Sequence, residues 1–116
     1  DDSPYVRLTL LDPFTSRGVF GSGYGDENFG KNADYAEQYL NTDDPVPTTN
    51  KPLALCACTD VTSARERDDF ELPEDETMHC WPLVYFARYG YQGSAGKMLI
   101  HDEDGSPSRG SVVCVE

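Results

Sequence analysis

The chain has 116 residues, enough for one domain and too few for two independent cores. Nine Lys and Arg against 21 Asp and Glu leave a net charge of −12, and no basic run forms, which disfavours RNA, DNA and anionic membranes as general partners. Apolar residues make up 38% but cluster, which excludes disorder for the whole chain, and no apolar run approaches the roughly 20 residues of a membrane span.

The opening Asp1-Asp2-Ser3-Pro4, without an initiating Met, fits a processed mature form or a trimmed chain, and either is compatible with secretion. Tyr5–Leu11 alternates β-branched and apolar residues and ends at Asp12-Pro13, the signature of a strand followed by a turn. Gly18–Gly30 holds five glycines interleaved with Phe20, Tyr24 and Phe29 and reads as a loop. It lacks the Gly-Lys-Ser/Thr end of a phosphate-binding loop. Asn32 is a helix cap, and Ala33, Ala36 and Leu40, with Tyr35 and Tyr39 one turn apart, predict a short helix. Asn41-Thr-Asp-Asp-Pro45 ends it, and Pro45–Pro52 is an extended connector.

Leu53–Cys58 predicts a second strand, followed by the charged Thr59–Thr77 segment with eight acids, a solvated loop. His79–Tyr89 is apolar enough for a central strand, with Pro82 marking a bulge or a strand start. After the Gly90–Gly96 loop, Lys97–His101 and Ser111–Val115 predict a hairpin. The expected architecture is α+β: one short α-helix on a four- to five-stranded antiparallel sheet, in a single domain over residues 1–116.

Cys56, Cys58, Cys80 and Cys114 form an even set in a short chain. A Cys56–Cys58 ring would be strained, so Cys56 and Cys58 are each expected to join one of Cys80 and Cys114, which implies an oxidising compartment. Cys-x-Cys is not a zinc knuckle, and His79 and His101 lack finger spacing, so no metal or other cofactor is expected. His101 opens an Asp-Glu-Asp-Gly turn that lacks the distal Glu of a calcium loop. Cys80 beside His79 is a nucleophile only if unpaired. Among the aromatics around residues 81–91, Tyr89 and Tyr91 flank a glycine and are candidate binding anchors.

Three segments together resemble the fungal guanyl-specific ribonucleases. These are Trp81-Pro-Leu-Val-Tyr85, Tyr91-Gln-Gly-Ser-Ala-Gly-Lys-Met-Leu-Ile100 and Leu53-Ala-Leu-Cys-Ala-Cys58, preceded by the helix and proline-rich turn in the same order. The resemblance implies a small secreted enzyme fold. Its catalytic set does not carry over. Cys80 stands where the family has its Glu, Val46-Pro47-Thr48 matches its Tyr-Pro-His, and Lys97 replaces its arginine. No histidine follows Cys114-Val115-Glu116.

The chain is therefore expected to be similar to catalytically dead, ribonuclease-like effectors of plant-pathogenic fungi. That implies a secreted, monomeric virulence protein that binds a host protein, and RNA weakly or not at all. Tyr89, Tyr91, Lys97 and His79 are its candidate contact residues, and no residue is expected to be catalytic. The alternative is a secreted toxin or toxin receptor-binding subunit, in which Trp81–Tyr89 is helical. Third comes an active ribonuclease with an atypical site.

Overall fold

The structure is a computed structural model that describes residues 3–16, 21, 23–90 and 107–116. Four strands, β1 (Arg7–Leu11), β2 (Tyr35–Leu40), β3 (Ala57–Asp60) and β4 (Val112–Cys114), pair in the order β1-β2-β3-β4, and every pairing is parallel. The short helix α1 (Tyr24–Asn28) lies between β1 and β2, and α2 (Trp81–Tyr85) lies between β3 and β4.

Strand β2 is the hub. In register with it, Leu8 faces Ala36 and Leu10 faces Gln38. This face closes over Ala36, Leu53 and Cys56, with Leu8, Leu10, Phe29 and Ala33 packed around them. Gln38 is fully buried here, and both ends of its amide are used. Nε2 donates to the Lys51 carbonyl at 2.8 Å, and Oε1 accepts from the Leu53 amide at 2.9 Å. Those two bonds hold the 50–56 segment against the sheet. Gly30 closes the same layer at φ 92, where an added Cβ would meet Ala36 Cβ at 2.7 Å.

The opposite face of β2 presents Tyr39 to a second core of Val61, Ala64 and Trp81, joined by Phe70, Met78, Val84, Tyr85 and Val115. Trp81 is wholly buried and donates its indole N–H to the Val61 carbonyl at 2.8 Å. Trp81 thus anchors the 78–85 segment directly beyond the end of β3. Among the described residues no helix is long and apolar enough to cross a membrane.

Several sequence expectations are corrected by this fold. The sheet is parallel, not antiparallel, because long connections (12–34, 41–56 and 61–111) return the chain to the same end of the sheet each time. The segment expected to be the helix, Ala33–Leu40, is instead β2. Ala36 and Leu40 suit either period, but Ala36, Gln38 and Leu40 are all buried on one side, as period two requires.

The expected strand at His79–Tyr89 is helical: a 3₁₀ turn over Met78–Cys80, then α2, then a π turn over Phe86–Gly90. Pro82 sits in the first turn of α2, where its missing N–H costs nothing. Trp81–Tyr85, one of the segments that resemble the ribonucleases, is thus a helix and not a strand of the sheet. Of the expected terminal hairpin, 97–101 lies outside the described residues, and β4 pairs with β3 in parallel.

The disulfide expectation is corrected too, since all four cysteines are free. Cys56 and Cys58 are buried, whereas Cys114 is exposed on β4. Cys58 and Cys114 lie on paired strands but out of step: Cys58 faces Val112 and Cys114 faces Asp60. The Cys80 thiol donates to the Thr77 carbonyl at 3.0 Å.

Candidate functional site

In a parallel sheet the strands all end on one side, and the loops leaving those ends converge. Asp12 directly follows β1, Asn41 directly follows β2, and Asp44 comes three residues later. His79 arrives from the 3₁₀ turn that Trp81 anchors. These loops bring together three side chains that lie 32 and 35 positions apart in sequence.

The histidine Nδ1 lies 2.8 Å from Asp12 Oδ2 and 2.6 Å from Asp44 Oδ2. Both carboxyls are buried, at 1% and 0% side-chain exposure, while the imidazole is 34% exposed. The ring therefore has a dry, acid-lined side and an open side. Phe14 stands against it, ring centroids 5.7 Å apart, and is itself exposed.

Each partner is held by the backbone around it. Asp12 adopts φ 50, a left-handed conformation unusual for a non-glycine residue, and its amide donates to the Tyr39 carbonyl at 2.9 Å. Thr48, at φ 67, is the other described non-glycine residue of this kind. Its carbonyl accepts from both the amide and the hydroxyl of Thr15, at 2.7 and 2.8 Å. Strained backbone is tolerated where surrounding contacts over-determine it; Asp12 is itself one of the three side chains, and Thr48 precedes Thr49, whose hydroxyl bonds Asp44.

Asn41 is fully buried and bridges the group. Its amide donates to Asp12 Oδ1 at 3.3 Å, and its side chain donates to the Met78 carbonyl at 2.9 Å. Asp44 accepts from the Val46 amide at 2.8 Å and from the Thr49 hydroxyl at 2.7 Å. The Thr77 hydroxyl accepts from the His79 amide at 3.3 Å and caps the turn.

The electrostatics follow from burial and these bonds. Burial, with the bond to Asp44 next, raises the Asp12 carboxyl to about 8. Asp44 is also penalised by burial, but the bonds it receives outweigh that and lower it to about 2. Burial disfavours the charged imidazole of His79, yet the two acids overcome this and raise it. Cys80, the neighbouring thiol, is raised by burial and by Glu76, which makes it a poor nucleophile.

The group can do two things. An imidazole braced at Nδ1 and open at Nε2 can take a proton from a hydroxyl or water. Asp12, Asp44 and His79 also each offer a ligand atom within 4.8 Å of the others, so the same residues could hold a cation.

Of the contact residues expected from sequence, His79 lies at this centre. Tyr89 is exposed and packs on Tyr85 with centroids 5.2 Å apart. Tyr91 and Lys97 lie outside the described residues. Sequence reasoning missed Asp12 and Asp44, which look like ordinary turn residues beside prolines. Asp12 had one usable signal, its position as an acid directly after an apolar strand, and Asp44 had none. Comparison with family models, curated proteins and solved structures finds no match to this chain.

Proposed function

We propose that the chain carries the acid–histidine part of a hydrolytic active site acting on acyl esters, with His79 as the general base. The observation that carries this is the braced imidazole: Nδ1 on buried carboxyl oxygens at 2.6 and 2.8 Å, on a ring that is itself 34% exposed. A carboxyl on Nδ1 fixes the tautomer that leaves Nε2 free to accept a proton, and it stabilises the imidazolium that forms. The position supports the same reading, because ligands in open parallel sheets bind beyond the carboxyl ends of the strands.

Among the described residues no hydroxyl or thiol is bonded to Nε2, so the proposal takes a water as the nucleophile that His79 deprotonates. The exposed Phe14 ring beside the imidazole suits an apolar acyl group.

The proposal departs from a non-catalytic effector because the antiparallel scaffold behind that expectation is absent. The test is hydrolysis of a short-chain nitrophenyl ester by the intact protein and by His79→Ala. Loss of a general base should lower kcat/KM by about 10²-fold or more. Equal rates for the two proteins overturn the proposal.

A further inference from the structure

The loops leaving β1 and β2 bring more hydrogen-bond acceptors to His79 than its ring can satisfy. Asp12 Oδ2 and Asp44 Oδ2 lie 2.8 and 2.6 Å from the same nitrogen, Nδ1. Charged or neutral, an imidazole carries at most one hydrogen on that nitrogen, and it can be aimed at only one oxygen. The other oxygen then faces the ring without a donor from it, on a carboxyl no more than 1% exposed. Buried charges of this kind are paired or coordinate metals. A single dication between the three groups takes the nitrogen lone pair and balances both carboxylates at once.

We propose that Asp12, Asp44 and His79 form a mononuclear zinc site, with one oxygen of each carboxylate and Nδ1 as ligands. The three ligand atoms already lie within 4.8 Å of one another. Donors about 2.0–2.1 Å from a tetrahedral zinc stand about 3.3 Å apart, so the two short contacts need to open by less than about 1 Å. Contacts from behind orient the carboxylates, as metal-bound carboxylates require. The Val46 amide and the Thr49 hydroxyl bond Asp44 at 2.8 and 2.7 Å, and the Asn41 amide bonds Asp12 at 3.3 Å.

The donor set selects the ion. A ring nitrogen among three ligands disfavours magnesium and calcium, which take oxygen donors. The adjacent Cys80 thiol is turned to the Thr77 carbonyl at 3.0 Å, so no sulfur enters the set. Three protein donors leave a fourth position for water, as in catalytic rather than structural zinc sites. Zinc on Nδ1 leaves the ring hydrogen on Nε2, so the zinc-bound and base forms of His79 exclude one another. The site stands on the geometry of the cluster and not on the hydrolytic reading.

The experiment is calorimetric titration of the intact, chelator-stripped protein with zinc chloride. One zinc should bind per chain with a dissociation constant of about 10 µM or below. His79→Ala, which truncates a partly exposed side chain, should weaken binding by about tenfold or more. X-ray absorption of the zinc-loaded wild type should show only nitrogen and oxygen neighbours, and excess magnesium should not displace the ion. The proposal is overturned by any of four results: no binding, a sulfur neighbour, undiminished affinity in His79→Ala, or displacement by magnesium. The wild-type measurements need neither substrate nor a variant, so zinc binding can fail while His79-dependent ester hydrolysis persists in chelator.

Discussion

Two carboxyls and one imidazole in a dry pocket make the residue scale unusually sensitive to pH. Asp12 is raised from 3.8 to about 8, chiefly by burial, so between those values the folded chain binds a proton that the unfolded chain has released. Stability from this group is therefore complete below the ordinary carboxylate range and is lost as pH rises through about 8. Asp44, lowered to about 2, works the other way, and its contribution is lost only as pH falls through that value. His79, raised, adds to the loss on the alkaline side. The urea midpoint should accordingly be higher at about pH 5 than at about pH 8, and Asp12→Asn should narrow that difference. A midpoint that rises with pH over this window contradicts the assignment.

Thiols provide a second check at the same scale. Burial, with the Asp60 charge next, pushes Cys58 up to about 12, and Cys56 is raised by burial as well, whereas Cys114 is exposed. Iodoacetamide, without reductant, should label Cys114 in the folded protein and reach all four cysteines only after denaturation. Failure to label all four in denaturant means that a bridge exists.

At the scale of the element, α2 controls the site without touching its chemistry. The helix is only five residues long, too short to be stable alone, so packing must hold it. Trp81 does this through complete burial, its bond to the Val61 carbonyl and ring contacts to Phe70 and Tyr85 at 5.1 and 5.8 Å. Removing that side chain leaves a cavity and an unpaired carbonyl. Trp81→Ala should cost about 3–5 kcal/mol in chemical denaturation. It should also release the 3₁₀ turn that carries His79, so any ester hydrolysis falls along with stability. A loss below about 1 kcal/mol would show that α2 is held by something else.

For the whole molecule, sequence and structure agree on some elements and part on others for identifiable reasons. The strand ending at Asp12-Pro13 was legible because alternation and turn chemistry coincide there. The acidic Thr59–Thr77 segment was legible as surface only in part: Thr59 and Asp60 belong to β3, Val61 and Ala64 are buried in the second core, and Arg65–Asp69 forms a 3₁₀ turn. Strand β2 was not legible: a buried Gln38 hides the period-two pattern, and only its bonds to Lys51 and Leu53 explain why a polar residue sits there.

Pro82 was ambiguous between a strand bulge and a helix start, and the aromatic content of 81–89 suited both. The site itself was one-third legible. His79 stood out as a lone histidine beside Cys80. Asp12 and Asp44 join it only through a parallel topology, which no local spacing encodes.

The central claim, that His79 acts as the general base of an ester hydrolysis, is tested most directly by hydrolysis of a nitrophenyl ester measured against pH for the intact protein and for His79→Ala. Wild-type activity should fall as pH drops through the titration of His79, and His79→Ala should lower kcat/KM by about 10²-fold or more and remove that dependence. A flat pH profile for the wild type, or equal rates for the two proteins, would contradict the account.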